Sequence, residues 1–263
     1  MNAASHTTEW PTFFDPRWPV LYVDNHLLAV YKPSGLLVQG DRTGDVCLLD
    51  LGRQWIKMHY RKPGKVYLAM VHRLDRPVAG VVLFARTSKA ASRLSRQFRE
   101  RTVEKRYLAV VHGALSGSRG RLVDHIVREN RVSRLVPEAT DSSQEARLTY
   151  EVLDFDGRTS LLRVALETGR RHQIRIQLAH AGHPIVGDLR YGMGAPLPGR
   201  QIALLAHTLT VDHPTRGERL RITSPIPQDW PWLDAKTPMD QRPPWDWRAF
   251  DEAIRMAGGH GAI

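Results

Sequence analysis

Apolar residues fall in short runs along the chain, and polar or glycine- and proline-containing segments separate these runs. Runs of this length are typical of strands in a buried sheet. VLYVD and LLAVYKPSG enclose the short polar turn DNH, so they predict a hairpin that begins at residue 20. Further strands are predicted for VYLAMVHRLD, which enters a loop, and for GVVLFA, KRYLAVVHG and LLAHTLTVDHP. RLTYEVLDF and SLLRVALETG predict an antiparallel pair around the turn DGR.

Two segments have the spacing of helices. The first covers residues 87–102 and can be capped by Thr87 or Ser88. Its apolar stripe consists of Ala91, Leu94 and Phe98. Its opposite face carries Arg93, Arg96 and Arg99. The second, RHQIRIQLAHAG, predicts a helix that Gly182 closes.

Strands outnumber helices, and the helices are scattered among them, so the pattern predicts an α+β fold. The mixed segment 41–65 ends in the loop signal RKPGK, and the segment 113–144, rich in Gly, Ser, Arg and Asp, is expected to be irregular. We find no internal repeat and no break in composition, and therefore expect one domain over 20–228. Residues 1–19 are expected to form an N-terminal arm. The Pro- and Trp-rich tail, 229–263, either wraps the domain with Trp anchors or binds a partner.

The charge balance adds a partner to this picture. Lys and Arg number 38 against 27 Asp and Glu, which gives a net charge of +11 and a sequence pI of about 10.2. The arginines cluster in SRLSRQFRERTVEKRY and GRRHQIR. A solvated basic surface is the simplest explanation, but such an excess also favours a polyanion, and the arginine fork binds two phosphate oxygens at once. We expect nucleic acid as the partner.

Several other function classes have little support. One cysteine, Cys47, permits no internal disulfide and fits a reducing compartment, where we expect it to act as a small apolar filler. The longest apolar runs are far shorter than a membrane span, and the first residues do not resemble a signal peptide, so a cytoplasmic protein is expected. His172, His180 and His183 lack the spacing of usual zinc ligands, so we expect no metal. GMGAPLPG predicts a loop, and no GxSxG elbow is present.

The stretch VHRLDRPVAGVVLFA places one carboxylate, Asp75, between Arg73 and Arg76, just before a buried strand. One interpretation is a surface salt bridge, which contributes about 0–1 kcal/mol to stability. The other is catalytic, because a carboxylate can act as nucleophile or general base while nearby arginines keep it ionised and receive phosphates. The chemistry of these residues leaves both interpretations open.

This stretch resembles the His-Arg-Leu-Asp signature of RluA-type pseudouridine synthases. Four other segments resemble the same family, in the same order along the chain: VDNHLLAVYKPSGLLV, EKRYLAVVHG, TGRRHQIRIQLAHAGHPIVGDLRYG and VDHPTRGERLRITSPIP. Together the matches cover roughly residues 20 to 228. The resemblance implies the pseudouridine synthase catalytic fold, with a mixed, mostly antiparallel sheet flanked by helices. It also implies conversion of a uridine in structured ribosomal or transfer RNA to pseudouridine, without metal, nucleotide or redox cofactor.

The resemblance also implies roles for individual residues. Asp75 matches the essential aspartate, Tyr107 the active-site tyrosine, and Arg175 the basic residue that pairs with the aspartate. Arg73 matches the arginine that fills the gap left by the flipped base. A base inside a stacked RNA must be extruded before it can react, and a planar guanidinium can stack in its place. Leu74 and Ile174 are expected in the pocket wall. The remaining residues expected to bind RNA are Arg76, Arg93, Arg96, Arg99, Arg170, Arg171, His172 and Gln173.

Some questions stay open at this stage. Val78 and Ala79 stand where the family usually has Thr-Ser, which removes two hydroxyl groups beside Asp75. His207 lies one place from the usual Leu-His-Ala pattern, so no role is carried to it.

Asp75 can attack the ribose, attack the uracil ring or remove a ribose proton. Two other functions remain: a non-catalytic RNA-binding or remodelling protein, and a hydrolase of nucleoside glycosidic bonds. We expect a monomer whose RNA recognition needs no separate N-terminal domain.

Overall fold

The computed structural model describes residues 20–129, 132–192, 194–198, 201–227 and 230–232. The expected N-terminal arm, 1–19, and the tail from 233 onward lie outside the described residues. The strands within the described part are β1 (Val20–Val23), β2 (Leu27–Lys32), β3 (Ala69–Met70), β4 (Ala79–Ala85), β5 (Glu104–His112), β6 (Arg119–Glu129), β7 (Val132–Val136), β8 (Gln144–Phe155), β9 (Thr159–Leu166), β10 (Leu204–Asp212) and β11 (Arg219–Thr223). The helices there are α1 (Leu48–His59), α2 (Ser88–Glu100) and α3 (Gln173–His180).

All the described strands belong to one sheet. Its main path runs β1-β2-β4-β10-β5-β9-β8-β6-β7, with β11 paired to β10 and β3 paired to β4. Neighbours are antiparallel except β4 and β10, which pair in parallel through Leu205 opposite Ala79 and Ala206 opposite Gly80. The expected mixed, mostly antiparallel sheet flanked by helices is therefore confirmed, and so is the hairpin that β1 and β2 form.

The central strands are buried on both faces because their apolar runs are continuous. Alternate residues of β4 point to opposite sides: Val82 and Phe84 join the larger core cluster, and Val81 and Leu83 join a second cluster on the other face. Helices α1 and α3 contribute to the larger cluster. Helix α2 covers the second cluster.

Helix α2 forms as the sequence predicts. Thr87 is its N-cap and accepts a hydrogen bond from Ala90 N, which satisfies one of the free N–H groups of the first turn. Leu94 is buried, and Ala91 and Phe98 pack against the same cluster. The arginine face, Arg93, Arg96 and Arg99, therefore points away from the sheet.

The C-terminus of α3 also follows the prediction. Gly182 has a left-handed φ of 85°, its N–H donates to Ala179 O, and His183 N donates to Leu178 O. These two bonds form a Schellman motif, which favours glycine because a Cβ strains this backbone conformation. Gly182 thus ends the helix as expected.

Residues 113–144, expected to be irregular, are ordered, so that prediction was wrong, and a helix within the mixed segment 41–65 was not predicted. Residues 41–65 contain α1, whose apolar face uses Leu48, Leu51 and Trp55. Residues 113–144 contain β6 and β7, which extend the sheet to its edge. The predicted strand 66–75 was too long, because only the two-residue β3 forms before the chain enters a loop. An edge strand exposes many of its side chains, and its polar pattern therefore resembles a loop.

Two smaller expectations concern apolar anchors. Cys47 is buried at the start of α1, as expected for an apolar filler. Only residues 230–232 of the predicted Trp-rich tail are described. Trp230 is buried in the larger core cluster, and Trp232 packs against it.

No described helix is long and apolar enough to cross a bilayer.

Candidate active site

A pocket of about 300 Å³ opens beside the central strands, at the start of α3. Its wall is formed by the Asp75 loop, by β5 and by the segment between β9 and α3. The lining residues are Arg73, Leu74, Asp75, Val78, Tyr107, Arg128, Leu166, Gly169, Arg170, Arg171, His172, Gln173, Ile174, Arg175 and Leu204. The pocket thus brings together most of the residues that the sequence singles out, including the expected wall residues Leu74 and Ile174.

The turn after β2 fixes the loop that carries Asp75. Gly35 N donates to Arg76 O at 2.7 Å, and Ser34 Oγ donates to Pro77 O at 3.0 Å. The buried Lys32 Nζ donates to Pro33 O, Leu36 O and Arg76 O. Burial lowers the pKa of Lys32 to about 7, although the charge of Asp75 acts in the opposite direction. The KPSG turn therefore holds the backbone immediately after Asp75.

Val78 and Ala79 stand where the family pattern quoted above has two hydroxyl residues. The Asp75 loop is nevertheless held by other contacts. Val78 is buried, and its N–H donates to Asp75 O at 3.1 Å. Ala79 begins β4 opposite Leu205. Backbone pairing and apolar packing therefore maintain this turn.

Arg175 connects two carboxylates. Its Nη1 lies 3.4 Å from Asp75 Oδ2, and its Nε and Nη2 donate to Asp188 at 2.7 and 2.8 Å. Asp188 is almost fully buried and also accepts hydrogen bonds from Arg190 N and Tyr191 N. The two-fold bond to Asp188 fixes the guanidinium plane, so that one amino group remains for Asp75.

His172 lies on the other side of the same carboxylate. Its Nε2 is 3.6 Å from Asp75 Oδ2, and its Nδ1 is 2.7 Å from the hydroxyl of Tyr191. The residue is the N-cap of α3 and has a left-handed φ of 58°, which is unusual for a non-glycine residue. Burial lowers the pKa of His172 to about 4 and the nearby arginines lower it as well, although the charge of Asp75 acts in the opposite direction. The imidazole is therefore neutral at pH 7.

Tyr107 enters the pocket from β5, where it pairs with Val164 of β9 and Ala206 of β10. Burial raises the pKa of its hydroxyl, and the negative charge of Asp75 adds to this effect. Tyr107 is therefore protonated at neutral pH and offers both an aromatic face and a proton donor.

Gln173 is buried, and protein groups surround its amide. Thr168 Oγ1 and Arg170 N donate to its Oε1, and its Nε2 donates to Arg147 O. These bonds fix the segment between β9 and α3. A side chain with these three bonds positions the neighbouring Arg170 and Arg171 instead of presenting its amide to solvent.

The cationic residues separate into two groups. Exposed arginines on the outer strands are paired with glutamates: Arg119 and Arg163 with Glu151, Arg121 with Glu167, and Arg134 with Glu129. Around the pocket, Arg73, Arg128, Arg170 and Arg171 have no such carboxylate partner within the described residues. Arg76 differs, because it pairs with Asp45 and donates to Gly35 O.

The arginines of α2 lie apart from the pocket. Arg93 and Arg96 line a separate recess with the turn 212–217, and Arg93 donates to Pro214 O. Arg99 is exposed further along the helix. Because α2 covers the second core cluster, its arginine face does not join Asp75, Tyr107 and Arg175 in one site.

Sequence reasoning missed several members of the site, chiefly Asp188, Tyr191, Lys32 and Arg128. Asp188 and Tyr191 lie inside the quoted stretch that ends GDLRYG, so an acid three positions before a tyrosine was the available signal. Arg128 comes from β6, which was expected to be irregular. In the described part of the chain, no group of three or more His, Cys, Asp or Glu residues is arranged to hold a metal ion.

Comparison with known proteins gives a family for this arrangement. The family model described as RNA pseudouridylate synthase matches residues 26–180, which is more than half of the chain. The chain belongs to this family. The match contains Asp75, Tyr107 and Arg175, and Asp188 follows it. The resemblance seen in the sequence is thereby confirmed.

Individual relatives agree with this assignment. The chain is 36% identical over 221 residues to the ribosomal large subunit pseudouridine synthase D of Nitrosomonas europaea, covering 80% of this chain and 62% of the relative. It is 35% identical over 235 residues to the tRNA pseudouridine synthase C of Yersinia pestis, covering 81% and 88%. The corresponding enzyme D of Xylella fastidiosa is 34% identical, and the chain spans 66% of its length.

Solved structures share the fold. Human RNA Pseudouridylate Synthase Domain Containing 1 superposes with a TM-score of 0.65 at 26% identity, covering 89% of this chain and 95% of that one. Human RNA Pseudouridylate Synthase Domain Containing 4 superposes with a TM-score of 0.69 at 24% identity, covering 80% and 89%. The second likeness concerns the fold alone.

Proposed function

We propose that the protein isomerises a uridine in structured ribosomal or transfer RNA to pseudouridine. The observation that carries the proposal is one pocket in which a carboxylate, Asp75, lies against Arg175 and beside Tyr107. The family match supports the reaction class, and named relatives include both ribosomal and transfer RNA enzymes. The substrate class is therefore RNA, and the choice between the two RNAs remains for experiment.

The reaction breaks the bond between uracil N1 and ribose C1′ and forms a bond between C5 and C1′. C5 loses a proton and N1 gains one, so the net change is an isomerisation. Asp75 is the only carboxylate that lines the pocket within the described residues, and it attacks the ribose, attacks the ring or removes a ribose proton. The Arg175 guanidinium, whose Nη1 lies 3.4 Å from Asp75 Oδ2, orients this carboxylate in the pocket.

Access to the base requires it to leave its stack. Extrusion costs a few kcal/mol, which a side chain that enters the gap partly offsets. Arg73 is exposed at the pocket mouth, has no carboxylate partner among the described residues, and supplies this side chain. Tyr107 then packs against the uracil, while Arg170, Arg171 and Arg128 face the phosphates of the flanking strand.

The remaining site predictions receive different roles from their surroundings. Gln173 and His172 are buried and hold neighbouring pocket residues in position. Arg76 supports the Asp75 loop. Arg93, Arg96 and Arg99 on α2 would contact RNA only if the substrate extends around the sheet edge. We further propose that 20–228 is the catalytic domain, and that the protein acts in the cytoplasm as a monomer without metal or organic cofactor.

Pseudouridine mapping tests the function. Cellular RNA that lacks the modification is incubated with the unaltered protein, with Asp75→Asn, or with Asp141→Asn as a matched control at an exposed aspartate. We expect a site that the unaltered protein and Asp141→Asn modify and that Asp75→Asn leaves unmodified. Activity should survive exhaustive treatment with a chelator.

Two rival functions give different results in the same experiment. A non-catalytic RNA-binding protein leaves every uridine unchanged, with RNA binding equal in all three proteins. A glycosidic-bond hydrolase releases free uracil and leaves an abasic site in the RNA. Either result would overturn the proposed isomerisation.

A further inference from the structure

Three cations from three different elements lie near one another beside the pocket, and one of them, Arg170, lines it. Arg101 is the left-handed residue that ends α2, with a φ of 60°. Lys105 lies on β5, two positions before Tyr107, and Arg170 lies between β9 and α3. Arg101 and Arg170 are both close enough to Lys105 to disfavour its positive charge. Arg101 disfavours the charge of Arg170 as well.

These cations are not neutralised by the protein. Within the described residues, none of the three forms an ion pair with a carboxylate. Glu145 accepts a hydrogen bond from Arg170 through its backbone oxygen, at 3.0 Å, while its carboxylate pairs with Arg147 and acts on Arg170 only at longer range. Exposed arginines on the outer strands do have glutamate partners, as described above. The three cations beside the pocket thus differ from those outer-strand arginines in having no carboxylate partner within the described residues.

Lys105 retains unused hydrogen-bond donors although its side chain is half-buried. The side chain is half-buried, and the only hydrogen bond of its Nζ within the described residues goes to Thr168 O at 3.2 Å. An ammonium group has three donors, so its remaining hydrogen-bonding capacity is free. Gly169, which lines the pocket, lies next to this ammonium: a Cβ there would stand 3.4 Å from Nζ. The absence of a side chain at 169 leaves an approach to Lys105.

We propose that Arg101, Lys105 and Arg170 form a subsite for one backbone phosphate of the RNA strand that enters the pocket. The inference rests on the proposed function and deepens it, because it assigns a specific anion contact beside the reacting base. A phosphate oxygen would satisfy the free donors of Lys105 and neutralise the repulsion among the three cations. Phosphate contacts of this kind fix the register of a nucleic acid independently of sequence.

The subsite couples RNA binding to proton uptake. Burial, together with the charges of Arg101 and Arg170, lowers the pKa of Lys105 to about 8 in the free protein. A bound phosphate favours the charged form and raises this pKa. The free protein has therefore lost the Lys105 proton above pH 8 and must regain it on binding, which weakens binding as the pH rises.

The other groups that face Lys105 do not titrate in this window. Burial and the charge of Arg101 lower the pKa of Arg170, but a guanidinium group remains protonated throughout this range. His72 remains neutral because burial lowers its pKa to about 3. Tyr107 remains protonated because burial raises its pKa. A change in affinity between pH 7 and pH 9 that depends on residue 105 therefore reports Lys105 itself.

The test measures dissociation constants for an unmodified transfer RNA transcript, whose backbone reports phosphate contacts whichever uridine is the target. All proteins carry Asp75→Asn so that no turnover occurs. Lys105 is kept, or changed to Arg, which stays charged, or to Gln, which is neutral. Lys89→Gln removes an exposed lysine of α2 as a matched control.

With Lys105 present, we expect affinity to fall about five- to tenfold from pH 7 to pH 9, the change given by a group with a pKa of about 8. Lys105→Arg should bind equally at both pH values. Lys105→Gln should bind about five- to tenfold more weakly at pH 7. The slope of its log affinity against log salt concentration should be shallower by about 0.7–0.9, because one phosphate fewer is neutralised. Lys89→Gln should retain the pH dependence of the parent.

Two outcomes would overturn the subsite. The pH dependence could be the same with Lys or Arg at position 105, or the salt dependence could be unchanged in Lys105→Gln. Both outcomes can be distinguished from failure of the proposed function. In that case, the protein with an intact Asp75 would form no pseudouridine. A protein that modifies RNA yet shows no proton uptake through Lys105 would remain a synthase without this phosphate contact.

Discussion

Replacing Asp188 by Asn tests whether the buried ion pair supports both the fold and the site. The carboxylate is 1% exposed and accepts two hydrogen bonds from Arg175 and two from backbone N–H groups. Breaking a buried pair by removing one partner typically costs about 3–5 kcal/mol, because the other charge stays buried. Asp75 still lies 3.4 Å from Arg175, so we expect the lower end, about 3 kcal/mol.

The effect depends on pH in a direction that follows from the pKa of Asp188. Burial alone would raise this pKa, but the hydrogen bonds and charge of Arg175 prevail and lower it. A carboxyl group with a lowered folded-state pKa stabilises the protein above its unfolded pKa, about 3.9, and loses this contribution as the pH falls through the folded value. The difference between the two proteins is therefore complete at pH 7 and shrinks below about pH 4.

The assay is urea denaturation at pH 7, followed in parallel with pseudouridine formation. Glu129→Gln is the matched control, because Glu129 also binds an arginine, Arg134, through two hydrogen bonds but on the exposed surface. Exposed pairs contribute little, so this control should unfold at the same urea concentration as the unaltered protein. Asp188→Asn should unfold earlier and turn over more slowly, since Arg175 is no longer fixed beside Asp75.

The reasoning would be refuted if Asp188→Asn and Glu129→Gln had equal unfolding midpoints at pH 7. Asp75 alone would then compensate the charge of Arg175. A normal midpoint with slow turnover would separate the catalytic effect from the structural one, and it would contradict the predicted energy.

Two further predictions concern packing and pH. Gly80→Ala should lower the free energy of unfolding by several kcal/mol, because its Cβ would lie 2.3 Å from Ala206 O at a φ of 123°. Gly157→Ala is the control for backbone strain, because Gly157 has a φ of 94° and a Cβ there would meet no atom within 4 Å. Thermal denaturation should show a lower melting temperature for Gly80→Ala than for Gly157→Ala. Equal melting temperatures would contradict the predicted cost of the atomic overlap. His72 accepts a hydrogen bond from Leu83 N, and burial lowers its pKa to about 3, so stability is lost as the pH falls below the unfolded value of about 6.5. Between pH 7 and pH 5 this loss is about 2 kcal/mol, and His72→Gln should remove it in urea titrations at the two pH values.

The elements that sequence patterns predict well are those with one dominant signal. Helix α2 has a capping threonine, an apolar stripe and a polar opposite face, and all three agree. The glycine after α3 predicts its end because the left-handed position strongly favours that residue. Helix α1 was missed although Leu48, Leu51 and Trp55 have helical spacing, because the glycines and charged residues around it indicated a loop.

The site was predictable only where the chemistry is local. Asp75 stands out because it interrupts a basic stretch before an apolar strand. The partnership of Arg175 with Asp188 and Asp75 depends on the folding of α3 against the Asp75 loop, which no spacing indicates. The role of Gln173 was likewise hidden, since a polar residue between arginines resembles an RNA contact until its three internal hydrogen bonds are known.

The position of β10 determines when the site can assemble during synthesis. Strand β10 begins at Leu204 and is therefore synthesised after both of its neighbours in the sheet. These neighbours are β4, which follows the Asp75 loop, and β5, which carries Tyr107. Until β10 arrives, the two halves of the pocket have no shared hydrogen-bonded neighbour. Pairings between residues so distant in sequence form slowly, because closing the intervening loop has an entropic cost. A growing chain would therefore be unable to capture RNA at this pocket until β10, which ends at Asp212, has been synthesised.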